Sequence, residues 1–114
     1  MGISGDAQRL DPQWIEAGNN VCGVVQDCRD AYTAAGAFVR AGWSRRSSSW
    51  YGWEVETGWG RIDLDPLGGS EVLLNGIIAP PHFATLATLL TASGLRFTLE
   101  LYDASNTLLR ETRG

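Results

Sequence analysis

The chain has 114 residues and a mass of 12.4 kDa, which is the size of one domain. Apolar residues make up 44% of it and charged residues 19%, a composition typical of globular rather than disordered proteins. The net charge is −4 and the pI is near 4.8. Binders of nucleic-acid backbones and of anionic membranes need a basic surface, so the composition argues against both function classes.

The basic residues and the N-terminal segment indicate source and compartment. All nine basic residues are arginine, a bias typical of a GC-rich genome such as that of an actinobacterium. The first residues lack the charged-then-apolar layout of a signal peptide, and no apolar run approaches the ~20 residues of a membrane span. We therefore expect a cytoplasmic protein, with a flexible tail over residues 1–10 and a single domain over 11–114.

The N-terminal third of the predicted domain has a helical pattern. Asp11-Pro12 combines a capping residue with a proline at the first helical position, which predicts a short helix. Farther on, apolar residues recur at i, i+3, i+4 and i+7, a spacing that predicts an amphipathic helix over residues 21–41. Asn20 is the expected cap of this helix, and Gly42 is the expected stop.

The rest of the chain has the two-residue period of β-strands, with one further helix over 82–93 after a proline pair. Asp65 to Gly69 has the composition of a loop, and Asn75-Gly76 is either a bulge inside a strand or a second tight turn, of which the bulge is favoured. The predicted strands cover 43–46, 51–56, 61–65, 71–78, 95–102 and 107–111. This order predicts an α+β fold, an antiparallel sheet of five to six strands with helices packed on one face. The predicted core residues are Val55, Ile62, Leu64, Val72, Leu74, Phe97 and Leu99.

Residues with nucleophilic or metal-binding chemistry form no catalytic pattern. His82 is the one histidine, so a site built from several histidines is excluded, and no nucleophile elbow is present. Cys22 and Cys28 would lie ~9 Å apart along the predicted helix, too far for a disulfide. We expect both thiols to be reduced and structural, and we assign no catalytic residue, metal or cofactor.

Carboxylates gather on the predicted strand face opposite to the core. Paired carboxylates could serve a glycosidase or a hard cation, but both need a concave site that the pattern does not predict. A charged face can also be simply solvated. Solvated faces rarely keep large tryptophans, whereas binding surfaces are enriched in them, so this face is interpreted as a partner-binding site. Its predicted residues are Trp50, Glu54, Glu56, Trp59, Asp63 and Asp65.

Two segments are similar in composition to those of a known class of protein: WYGWEVETGWG over residues 50–60 and FTLELYD over residues 97–103. Together with the acidic charge and the α+β pattern, they resemble the immunity proteins that neutralise polymorphic toxins in bacteria. The resemblance covers roughly residues 21–112 and is one of architecture and composition. It implies a non-enzymatic inhibitor whose partner is a cognate toxin, often a basic nuclease or a nucleotide-consuming enzyme.

Three other functions fit the same residues. A sugar- or small-ligand-binding module would use the tryptophans for stacking and the carboxylates for hydrogen bonds. A secretion chaperone or adaptor would use the acidic face. A small enzyme would lose activity on substitution of His82 or of a carboxylate pair.

Overall fold

The computed structural model describes residues 9–114, and residues 1–8 of the predicted 1–10 tail lie outside these described residues. Among residues 9–114, no helix is long and apolar enough to cross a membrane. In chain order the elements are helix α1 (Pro12–Ile15), strand β1 (Val21–Gln26), helix α2 (Ala31–Arg40), strands β2 (Ser44–Ser47), β3 (Trp53–Thr57), β4 (Gly60–Gly68) and β5 (Glu71–Ile78), a 3₁₀ turn (Pro80–His82), helix α3 (Phe83–Ala92), and strands β6 (Arg96–Tyr102) and β7 (Leu108–Arg113).

The strands form one seven-stranded sheet in the order β2-β3-β4-β5-β1-β6-β7, and every neighbouring pair is antiparallel. The predicted α+β class and antiparallel sheet are confirmed, but the predicted count of five to six strands is wrong. The additional strand is β1, which lies between β5 and β6. The predicted helix over residues 21–41 is therefore wrong in its first part, and only α2 is helical.

The boundary between β1 and α2 has a local cause. Three of the six residues of β1 are valine, whose branched side chain favours strands, and their burial alternates along the chain. Asp27 then adopts a φ of 53°, which ends the strand. The carboxylate of Asp30 caps α2 by accepting a hydrogen bond from the Thr33 N–H at 2.7 Å. Asn20 caps no helix, because its side chain exchanges two hydrogen bonds with the backbone of Ile78.

One hydrophobic cluster joins α2 and α3 to the sheet. All seven predicted core residues belong to it, and none is more than 2% exposed. The strand residues of the cluster alternate along each strand, so one face of the sheet is turned toward the helices. The opposite face, which points away from α2 and α3, is called the open face below.

Gly76 lies where two strands approach closely, and the predicted bulge at Asn75-Gly76 is wrong. The pairing of β4 with β5 is unbroken around Gly76, and its register shifts only between Pro66 and Gly68. A Cβ on Gly76 would lie 2.8 Å from the Ile62 Cα. The close approach of the β4 backbone therefore requires glycine here. The predicted loop from Asp65 is also shorter, because β4 continues to Gly68.

We predict that Gly76→Ala lowers the free energy of unfolding by about 1–3 kcal/mol, because backbone on β4 must shift to admit the methyl group. Gly18→Ala is the matched control, since a Cβ at Gly18 meets nothing within 4 Å. Urea titration of both variants measures the difference. Equal stability of the two variants would contradict the close approach.

Candidate functional site on the open face

The four predicted carboxylates lie on the open face, as the strand alternation predicts. Glu54 and Glu56 are on β3, on either side of the buried Val55. Asp63 and Asp65 are on β4 and alternate with buried leucine and isoleucine side chains. Directly across the strand pair, Glu54 lies opposite Asp63.

Two of these carboxylates belong to a longer line of side chains that crosses the whole sheet. Directly opposed residues of an antiparallel pair point to the same face, so the register of six strand pairs defines one row. In sheet order the row is Arg46, Glu54, Asp63, Asn75, Cys22, Glu100 and Glu111. At the usual strand separation of about 4.8 Å the row is about 29 Å long. It is called the acidic row below, since it carries four carboxylates and one guanidinium.

The β3–β4 part of the acidic row crowds like charges together. The Arg46 guanidinium pairs with Glu54 at the edge of the sheet. Next to this pair, burial raises the pKa of Asp63, and the negative charges of Glu54 and Asp65 and a hydrogen bond with Glu54 raise it further. The charge of Arg61 acts in the opposite direction. This part of the face therefore holds negative charge at a free-energy cost.

Asp63→Asn should stabilise the folded protein at neutral pH, because it removes a carboxylate whose pKa is raised in the folded state. The folded state holds the Asp63 proton more tightly than the unfolded state, so wild-type stability falls relative to the variant as pH rises from the ordinary aspartate pKa to the raised one, and the difference is constant above it. Below the ordinary aspartate pKa near 3.9 the two proteins should converge. Urea midpoints at several pH values test this, and a variant less stable than wild type at pH 7 would contradict it.

The β1–β6 part of the acidic row forms a small hydrogen-bonded group. Glu100 Oε1 accepts a hydrogen bond from the Tyr102 hydroxyl at 2.8 Å and one from Cys22 Sγ at 3.5 Å. Burial raises the pKa of the Cys22 thiol, and Glu100 raises it further through the hydrogen bond and its charge. The same carboxylate raises the pKa of Tyr102. Glu100 is thus held as an acceptor, and the thiol stays protonated at neutral pH.

The two cysteines carry free thiols. The sequence predicts that they lie on one helix, and they do not. Cys22 lies on β1 and is partly exposed, while Cys28 follows β1 and is 2% exposed. We expect a maleimide to label Cys22 slowly, because of its raised pKa, and to label Cys28 only when the protein unfolds. Mass spectrometry of the labelled native protein measures both rates. Faster labelling of Cys28 would contradict the placement.

A polar depression of about 440 Å³ opens beside the acidic row. Cys22 and Tyr102 line it together with four asparagines, Asn19, Asn20, Asn75 and Asn106. The Asn20 amide is held by two hydrogen bonds to the Ile78 backbone. It therefore forms part of the wall of the depression and has less capacity than the other asparagines to bind a ligand. The sequence pattern gave no indication of this depression, since its residues come from segments that meet only after the sheet forms.

The two predicted tryptophan anchors lie in different places. Trp50 is in the loop between β2 and β3 and is 95% exposed. The placement of Trp59 on the open face is wrong. Its ring contacts the buried Trp43 edge-on, with 5.0 Å between ring centroids, and stacks on His82, with 4.5 Å between ring centroids. Trp59 therefore packs on the side of the sheet that α2 and α3 cover. Trp59 occupies a turn between strands, where the strand alternation does not fix the side-chain direction, and it contributes packing there.

The N-terminal segment contacts one predicted site residue. The Leu10 N–H donates a hydrogen bond to Glu56 Oε2 at 2.7 Å, and Leu10 is 3% exposed. Leu10 falls in the predicted flexible tail, but it is buried. Glu56 therefore binds the backbone of the N-terminal segment through its side chain.

The carboxylates of the open face can attract cations along the acidic row. Among residues 9–114, no group of three histidine, cysteine, aspartate or glutamate side chains is arranged to hold a metal ion. Comparison with models of protein families, with curated protein sequences and with solved structures found no match.

Proposed function

We propose that the protein is a non-enzymatic, cytoplasmic immunity protein that binds a basic toxin on its open face and blocks the toxin's activity. The observation that carries this proposal is the acidic row, in which four carboxylates cross the full width of an antiparallel sheet. One of the four carboxylates, Glu54, pairs with Arg46, and the row keeps an excess of negative charge in a chain whose net charge is −4. A basic protein is the partner with complementary charge.

The electrostatics of the row favour binding in two ways. Its long-range field would attract a basic protein and increase the rate of encounter. At short range, a cationic side chain of the partner placed near Asp63 would offset the repulsion that Asp63 experiences from Glu54 and Asp65. The folded protein retains a destabilising charge cluster, which is a pattern typical of surfaces selected for binding rather than for stability.

A specific observation favours one alternative, a small polar ligand held in the asparagine-lined depression. Amide and hydroxyl groups of this kind suit the hydroxyls of a sugar. Among the described residues, Tyr102 is the one aromatic residue that lines the depression, and Trp43, Trp53 and Trp59 all contact the hydrophobic cluster on the helical side of the sheet. A protein partner therefore accounts for more of the face than a small ligand does.

Growth protection tests the proposal. An immunity gene lies beside the gene of its toxin, so the toxin domain encoded by the neighbouring gene is expressed in a test bacterium, where it should arrest growth. Co-expression of this protein should restore growth. Asp63→Arg should protect poorly, because it places a positive charge inside the acidic row.

The matched control is Glu16→Arg, which changes the net charge equally at an exposed residue just after α1. It should protect as well as wild type. Absence of a neighbouring toxin gene, absence of protection, or equal protection by both variants would contradict the proposal. Calorimetric titration with monosaccharides distinguishes the alternative, since a saturable signal that Asn75→Ala removes would favour a small ligand.

A further inference from the structure

The most exposed aromatic side chains of the described chain occur together in one short loop. In the segment Ser48–Gly52, called the aromatic loop below, Trp50 is 95% exposed and Tyr51 is 75% exposed. The Ser48 N–H donates to the Gly52 carbonyl at 3.1 Å, and the Gly52 N–H donates to Ser49 Oγ at 3.0 Å. The base of the loop is thus held by hydrogen bonds, while both aromatic side chains remain largely exposed to water.

The aromatic loop borders the open face. Gly52, at its base, is buried against Asp65, since a Cβ at Gly52 would overlap the Asp65 Oδ1. The following residue, Trp53, pairs with Leu64 on β4, which fixes the loop beside the β4 residue that follows Leu64, Asp65. Trp50 and Tyr51 therefore directly precede the glycine that lies against Asp65, a carboxylate of the open face.

Elsewhere in the chain, arginine side chains contact both kinds of group, aromatic rings and carboxylates. The Arg45 guanidinium lies 4.3 Å from the Tyr32 ring centroid and 5.4 Å from that of Trp53. Its neighbour Arg46 pairs with the Glu54 carboxylate. A guanidinium can satisfy both kinds of group at once, because it stacks on an aromatic face while donating in its own plane.

We propose that the aromatic loop receives an arginine side chain of the bound partner, with the guanidinium stacked on Trp50 and directed toward Asp65. This inference rests on the proposed function, because the partner must be the basic protein that docks on the open face. Charge complementarity selects a cation, and the large exposed ring selects arginine over lysine, whose compact ammonium is more strongly hydrated. The loop would act as a specificity element beside a face that attracts positive charge in general.

Titration with two peptides tests the inference. Hexa-arginine and hexa-lysine carry equal charge, and calorimetry at low salt gives the dissociation constant of each. We expect the wild-type protein to bind hexa-arginine about two- to fivefold more tightly through the ring. Trp50→Ala should remove most of this preference with little effect on hexa-lysine, and Trp50→Phe should keep part of it. Leu109→Ala, an exposed apolar residue on β7, is the control and should change neither constant.

Equal binding of the two peptides, an arginine preference that survives Trp50→Ala, or binding of neither peptide would overturn the inference. Asp63→Arg separates this failure from failure of the proposed function. If both peptides bind and Asp63→Arg weakens both, the open face attracts basic partners and only the role of Trp50 is wrong. If Asp63→Arg leaves both constants unchanged, the acidic row itself is not the binding surface.

Discussion

Replacing Glu54 and Asp63 together by arginine should slow association of the basic partner about tenfold or more, while the domain stays folded. The two residues face each other across β3 and β4, so the substitutions turn the most crowded part of the acidic row into a positive patch. Both side chains point away from the hydrophobic cluster, which the substitutions leave intact. Stopped-flow binding of the purified partner measures the association rate.

Salt and a matched single variant separate this effect from a general change in charge. The difference between wild type and variant should shrink as ionic strength rises, because the Debye length falls from about 10 Å at 0.1 M to about 3 Å at 1 M. Asp63→Arg alone should slow association more than Glu16→Arg, although both change the net charge equally. Equal slowing by these two variants would show that only net charge matters and that the acidic row has no special position.

Leu99→Ala should lower the free energy of unfolding by about 2–5 kcal/mol, toward the upper part of that range. Leu99 is fully buried on β6, and its cross-strand neighbour on β1 is Gly23. An added Cβ at Gly23 would lie 3.0 Å from Leu99 Cδ2, so the leucine side chain fills the space that the glycine leaves. No side chain on the opposing residue can collapse into the cavity that truncation creates.

The same substitution on β7 provides the control. Leu109 is 51% exposed, and Leu109→Ala should change the free energy of unfolding by less than about 0.5 kcal/mol. Urea titration of both variants gives the comparison. A similar cost for the two would mean that Leu99 is not in the core and that the register of β6 is wrong.

Strand alternation predicts the core and the four carboxylates of the predicted site, and it fails where pairing between strands that are distant in sequence decides the structure. Val55, Ile62 and Leu64 follow the two-residue period, so their burial and the opposite direction of Glu54 and Asp63 follow from the sequence. Val21, Val24 and Val25 have the helical spacing i, i+3 and i+4, although only Val21 and Val25 share a face of the strand that forms. Their pairing with β5 and β6, which are distant in sequence, selects the strand.

The acidic row shows the consequence for the site. Cys22 enters it only because β1 lies between β5 and β6, and Glu111 enters it only through the pairing of β7 with β6. Trp59 has the residue type of an interface anchor, but its position in a turn places it against Trp43 and His82. Residue type and alternation alone therefore predict the acidic character of the face but not its extent.

Thiol protection at Cys22 tests the proposed interface most directly, because this residue lies inside the acidic row, between Asn75 and Glu100. Maleimide labelling of the free protein and of its complex with the purified toxin domain is followed by mass spectrometry, with the buried Cys28 as internal reference. Docking on the open face predicts that Cys22 labels much more slowly in the complex than in the free protein. Labelling of Cys22 at the same rate in both would place the partner elsewhere on the molecule and contradict the proposal.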